Sequence, residues 1–192
     1  TELKADQVNL YDFSGYVLQA GLSTMVKKSD DSHNEWIQKA REANGKKVLT
    51  APYSTYVYSK SARYPQWFIS LYRSFTNQYG RGVGVIETAK QCKSIFKSII
   101  SYEKKNHGNA ASVYVFNESG DLIYPYDITA DDTNDISKYY KLTDSDQDTL
   151  TVQSPVTDQK EYVSRLNSAY TGYTYLTIQP ESVILAPVYK ML

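Results

Sequence analysis

Runs of β-branched and aromatic residues recur along the chain, and two of them open near-copies of one another. Val8-Asn9-Leu10-Tyr11-Asp12-Phe13-Ser14-Gly15-Tyr16-Val17-Leu18 aligns with Val113-Tyr114-Val115-Phe116-Asn117-Glu118-Ser119-Gly120-Asp121-Leu122-Ile123. Each reads as a strand, then Asp or Asn, one residue, Ser-Gly and a second apolar strand. The glycine supplies the left-handed position of a tight hairpin, and Asp12 or Asn117 can bond its own turn backbone. The match continues: Val48-Leu49-Thr50-Ala51-Pro52 resembles Leu150 to Pro155, a strand stopped by proline. Phe68 to Ser74 resembles Tyr162 to Ser168, and Gly82-Val83-Gly84-Val85-Ile86 corresponds to Tyr173 to Ile178. Several matches in one order point to an internal duplication.

Each half then reads as a hairpin, a helical stretch and three antiparallel strands. In the first half the helix is expected over Glu35 to Ala43, started by Asp31, Ser32 and Asn34 and ended at Asn44-Gly45. In the second it is weaker, around Asp135 to Leu142. Between the halves Ala89, Cys92, Ile95, Phe96, Ile99 and Tyr102 recur at helical spacing, which predicts an amphipathic connecting helix from Ala89 to Tyr102. The fold class expected is α+β, with one module over residues 1–90 and the connecting helix and a second module over 91–192.

Composition narrows the classes. With 21 basic and 21 acidic side chains the 192-residue chain has no formal net charge, which argues against a nucleic-acid partner. No apolar run approaches a membrane span. Cys92 is the single cysteine, so neither a disulfide framework nor a cysteine metal cluster is possible; on the connecting stripe it reads as a small core residue. Thr1 is not an initiator Met, so the expectation is a segment of a longer protein, with membrane anchors on either side. The 19 tyrosines against 5 phenylalanines suit half-wet strands and ligand clefts.

Catalytic chemistry has no visible home. His33 and His107 lie in polar, turn-like stretches and read as solvated loop residues. No nucleophile elbow or paired-histidine metal motif occurs. Gly80-Arg81-Gly82-Val83-Gly84 lacks the Gly-Lys-Ser/Thr ending of a phosphate loop and reads as a hairpin turn. Asp127, Asp131, Asp132 and Asp135 lack EF-hand spacing and read as a solvated loop. No metal and no cofactor are expected. A binding cleft is the remaining possibility. Ala51 to Arg73 carries Tyr53, Tyr56, Tyr58, Tyr64 and Trp67 with Arg63 and Arg73. Such rings stack on sugars or apolar ligands, and an Arg fork clamps a carboxylate. Alternation places Trp67, Ile69, Leu71 and Arg73 on one strand face and Phe68, Ser70, Tyr72 and Ser74 on the other, without saying which face lines a cleft.

In their order, these segments resemble the extracytoplasmic double Cache sensor region of bacterial receptors, and most nearly that of YesM-type sensor histidine kinases. The resemblance is carried by Val8 to Gly15, Glu35-Trp36, Ala40 to Gly45, Val48 to Pro52, Ile69 to Arg73, Gly84 to Ile86, Val113 to Tyr124 and Thr171 to Pro180. It implies two tandem PAS-like modules, each a mainly antiparallel sheet flanked by helices, with the ligand on the distal one. It also implies an extracellular sensor of a cell-membrane receptor from a Gram-positive bacterium, with no enzyme activity in this segment. A small solute, sugar-related in class, or a solute-loaded binding protein would dock, and signal would pass through the helix from Ala89 and a C-terminal strand ending at Leu192. Further partners are a second copy of the chain and flanking transmembrane helices. The candidate ligand contacts are Tyr53, Tyr56, Trp67, Ser70, Tyr72, Arg73 and Glu87, with Trp36 as a core anchor. A chemoreceptor ectodomain and a secreted carbohydrate-binding module are the alternatives.

Overall fold

The computed structural model describes residues 4–22, 24–29, 33–56, 64–106, 111–144 and 147–189. The chain forms two compact units, Thr1–Ile95 and Phe96–Leu192. Asp31, Ser32, Tyr58, Arg63 and His107 lie outside the described residues.

In the first unit, β1 (Gln7–Asp12) and β2 (Tyr16–Gly21) form the expected hairpin. Asp12 Oδ1 accepts from the backbone N–H groups of Ser14 at 3.0 Å and Tyr16 at 2.8 Å. These amides, with the Ser14 hydroxyl, hold the Asp12 carboxyl below its ordinary pKa. Gly15 takes the left-handed backbone at φ 96°. An added strand, β3 (Met25–Lys28), pairs with β2. Helix α1 (Asn34–Glu42) ends at Asn44 and Gly45, both with positive φ. Its first turn is flanked by His33, whose side chain makes no cap bond. The strand expected to stop at Pro52 is β4 (Val48–Leu49), and a further short strand, β5 (Tyr53–Thr55), follows the proline; both pair with β6 (Gln66–Thr76). Pro has no N–H to give a ladder, so the break falls there. Strand β7 (Gly82–Gln91) closes the sheet, in the order β3-β2-β1-β7-β6-β4. Gly80-Arg81-Gly82 forms the turn between β6 and β7, as expected.

The second unit repeats the hairpin with β8 (Ser112–Phe116) and β9 (Leu122–Tyr124). Asn117 Oδ1 accepts from Ser119 N at 3.0 Å and Asp121 N at 2.8 Å, and Gly120 has φ 88°. The turn therefore repeats the two amide bonds of the first, while Asn117 Nδ2 donates to Asp121 Oδ2 where the Ser14 hydroxyl donates to Asp12 in the first. Helix α4 (Ala130–Ser137) is capped by Thr129, whose hydroxyl oxygen accepts from Asp132 N. A 3-10 turn, Lys138–Asp144, continues it. Strands β10 (Thr149–Gln153), β11 (Lys160–Asn167) and β12 (Thr174–Pro180) complete a sheet of order β10-β11-β12-β8-β9. Leaving aside β3 and β5, both sheets read second, first, last, fourth, third strand. This is a mixed α/β chain with two antiparallel sheets, consistent with the PAS-like Cache fold.

Three expectations are corrected. Ala89 to Gln91 are the last residues of β7, not the start of a helix; their alternation serves the ladder to Phe68, Ile69 and Ser70. The helical segment is two pieces, α2 (Cys92–Ile95) and α3 (Lys97–Lys105), interrupted at Phe96. The second-half helix begins five residues earlier than Asp135, because Thr129 offers the cap. The C-terminal strand stops at Pro180, after which α5 (Glu181–Tyr189) begins.

Candidate functional site

Cross-strand partners share a sheet face, so register shows which side chains meet. On the inner face of the first sheet Gln19, Asn9, Glu87 and Tyr72 form one row across β2, β1, β7 and β6. All four are buried. On one side runs the apolar row Val17, Tyr11 and Val85, packed against Ala40, Trp36 and Ile37 of α1. On the other lie Gln7, Ala89 and Ser70. A polar row thus crosses the middle of a buried face, where each group needs a hydrogen-bond partner.

Glu87 is the hub and is fully buried at 0% exposure. Its Oε2 accepts from Asn9 Nδ2 and from the Tyr11 hydroxyl, each at 2.7 Å. Its Oε1 accepts from the Ser70 hydroxyl at 2.6 Å. Ser70 in turn accepts from the Tyr53 hydroxyl at 2.7 Å, a shorter contact than the 3.5 Å from Tyr53 to Glu87. Gln7 Nε2 donates to Asn9 Oδ1 at 2.9 Å and so orients the Asn9 amide. His33 Nδ1 lies 2.8 Å from the Tyr72 hydroxyl and 3.9 Å from Glu87 Oε2. Trp36 stacks on Tyr72 with centroids 6.2 Å apart, and Tyr72 in turn stacks on Tyr11. Burial, and then the charge of Glu87, push the Tyr11 hydroxyl well above the usual phenol range, so it stays a proton donor.

Of the residues picked from the sequence, Tyr53, Ser70, Tyr72 and Glu87 therefore come together. Trp67 and Arg73 stand on the opposite face of β6; Arg73 Nε donates to the Gly45 carbonyl at 2.5 Å. Tyr56 is exposed, just after β5. His33, expected to be a solvated loop residue, is half-buried against Tyr11 and Tyr72 instead. Gln7, Asn9 and Tyr11 escaped the sequence reading. Their signal was three polar-tipped side chains at alternate positions of one strand.

The second unit has a smaller polar contact of the same kind. The Tyr139 hydroxyl donates to Glu161 Oε2 at 2.8 Å and lies 2.9 Å from Ser154 Oγ. Among the described residues no group of His, Cys, Asp or Glu could hold a metal ion. Nor, among them, is any helix long and apolar enough to cross a membrane.

No protein-family model matches the chain, and no curated protein sequence matches it. Solved structures do. The ligand-binding domain of Mlp24 with asparagine superposes at a TM-score of 0.65 with 17% identity, covering 96% of this chain and 72% of that one. The ligand-binding domain of the Pseudomonas aeruginosa amino acid chemoreceptor PctB with L-Arg gives 0.67 and 14%, covering 98% and 71%. The extracellular domain of rpHK1S-Z16, assigned as a histidine kinase, gives 0.65 and 16%, covering 96% and 74%. The chain has the fold of these receptor domains.

Proposed function

We propose that this segment is the extracytoplasmic ligand-sensing part of a transmembrane receptor, and that the inner face of the first sheet takes the ligand. The observation that carries this is the buried Glu87 carboxylate, held by the side chains of Asn9, Tyr11 and Ser70. A buried carboxylate on the inner face suits a ligand that brings a cationic donor, an ammonium above all. Amino acids have that group, and the similar domains named above were solved with asparagine and with L-Arg. A sugar-related ligand brings only neutral hydroxyls, for which a buried charge is a poor match.

Because Glu87 is shielded from solvent, a ligand must displace one of its present donors. The Tyr53–Ser70 pair is the one that belongs partly to the short strand β5. Exchanging that pair for a ligand group shifts β5 against β6, and a ligand that prefers the shifted arrangement changes its population. This links occupancy to a change in shape, as a receptor requires.

Chemoreceptor and kinase domains match at the same TM-score, so the proposal names sensing and not the output. The finer reading, a tandem double Cache ectodomain of a YesM-type kinase that dimerises between membrane helices in a Gram-positive bacterium, rests on the sequence resemblance alone. So does a solute-binding protein as partner, while the module boundary near residue 90 rests on the internal repeat. Calorimetric titration with single amino acids, simple amines and sugars tests the ligand class. Saturable binding of an ammonium compound to the wild type, lost in Glu87→Gln, is expected. Binding of a sugar with Glu87→Gln unaffected contradicts the proposal.

A further inference from the structure

We infer that the first unit carries a second, separate site for an organic phosphate monoester, at the turn end of its sheet. A cavity of about 450 Å³ opens there, lined by Arg41, Arg81, Asn44, Ser74, Phe13 and Phe75 among others. It combines the last turn of α1, the end of β6 and the β6–β7 turn, which the topology brings to one edge.

Four features of this cavity match one chemistry. Arg41 and Arg81 line it with no Asp or Glu among the lining, so it is locally cationic in a chain of zero net charge. A phosphate monoester carries up to two negative charges at neutral pH, against one for a carboxylate or a sulfate ester. Arg41 is already oriented, with its guanidinium 4.5 Å from the centre of the Phe13 ring, which lowers the entropy lost on binding. The Ser74 hydroxyl oxygen accepts from Gly45 N at 2.8 Å, which leaves its own proton to donate. Finally, two phenyl rings form an apolar wall beside the cationic pair, which inorganic phosphate would leave unused.

Glycines of the adjoining strand let Phe13 and Phe75 lie close to its backbone. A Cβ on Gly82 would meet the Phe13 ring at 3.4 Å, and one on Gly84 would meet the Phe75 ring at 2.8 Å. The Gly82 contact would be an ordinary one, whereas a Cβ on Gly84 would also meet the Tyr11 carbonyl oxygen closely, so only Gly84 is required by its surroundings.

The test is a titration of the isotope-labelled 192-residue chain with phenyl phosphate, read at the backbone amides of Asn44, Gly80 and Gly82. Phenyl sulfate and inorganic phosphate serve as comparators. Saturable shifts are expected, with affinity falling about tenfold in Arg81→Ala and in Arg41→Ala, and largely kept in Arg81→Lys. Glu87→Gln binds phenyl phosphate like the wild type, so this site stands or falls apart from the amino-acid reading. Absence of saturable shifts overturns the site. So does unchanged affinity in the Arg41→Ala/Arg81→Ala double variant, whose exposed positions leave the fold intact. Equal affinity for inorganic phosphate or phenyl sulfate overturns the ester assignment.

Discussion

At the scale of single residues, Glu87 and Arg73 exchange the roles that a linear reading suggests. Arg73 looks like the anion clamp of a cleft, yet it lies on the outer face and ties β6 to the end of α1 through Gly45. Arg73→Ala is therefore expected to lower stability by about 0.5–1.5 kcal/mol and to leave ligand affinity unchanged; thermal melts beside titrations check both. Glu87 has the converse profile. Replacing Ser70, one of its donors, by Ala leaves a buried carboxylate oxygen short of a partner and costs about 1–3 kcal/mol. Chemical denaturation of Ser70→Ala measures this, and no loss of stability would show that the hydroxyl is easily replaced. Cys92 gives a third check. It is fully buried, and burial pushes its thiol up to about 12. Iodoacetamide at pH 8 is expected to leave it unmodified in the folded chain and to label it once the chain unfolds. Fast labelling of the native protein would contradict the packing around α2.

At the scale of elements, the turns were legible and the faces were not. Asp12-Phe13-Ser14-Gly15 and Asn117-Glu118-Ser119-Gly120 announce their geometry because side chain and glycine both serve the same local turn. Ser70, Tyr72 and Glu87 could be picked out as polar positions, but their convergence depends on cross-strand register, which no local signal carries. Strand β1 shows why. Its alternating apolar residues, Val8 and Leu10, lie on the outer face, and Leu10 is 37% exposed. The buried face is the polar-tipped one, Gln7, Asn9 and Tyr11, so hydrophobic alternation alone points the wrong way. The strand-to-helix change at Gln91 was hidden for a related reason: Ala89 and Cys92 suit both a strand face and a helix stripe, and the ladder to β6 decides between them.

Two predictions belong to elements. A Cβ at Gly120 would come 2.9 Å from the Tyr140 ring, on a backbone with φ 88°. Gly120→Ala is expected to destabilise the second unit by about 1–2 kcal/mol. Amide exchange should quicken across β8 and β9 and hold steady in β1, β6 and β7, because the two units have separate cores. Helix α5 is pinned at its start by Lys160 Nζ to Glu181 Oε1 at 2.6 Å. That bond holds the Glu181 carboxyl below its ordinary value of 4.5. A lowered folded-state pKa means that the stabilisation is present above the ordinary value and is lost as pH falls through the folded one. Protection of the α5 amides, relative to their intrinsic exchange at each pH, is thus expected to fall as pH drops below 4.5, and Lys160→Met to remove that dependence.

At the scale of the molecule, two sheets with one strand order divide the work unequally. The first carries a wide polar network across its inner face, while the second packs an apolar core of Phe116, Val163, Leu176 and Ile178 beside smaller polar contacts, Tyr139 with Glu161 and Ser154 and Tyr124 with Glu103. This asymmetry is the reason for placing the ligand on the first unit. Hydrogen exchange of the 192-residue chain, with and without a mixture of free amino acids, tests it most directly. Slower exchange in Gln7–Asp12, Gln66–Thr76 and Gly82–Gln91, abolished by Glu87→Gln, is the result the account predicts. Protection confined to the strands of the second unit, or equal protection in Glu87→Gln, would contradict it.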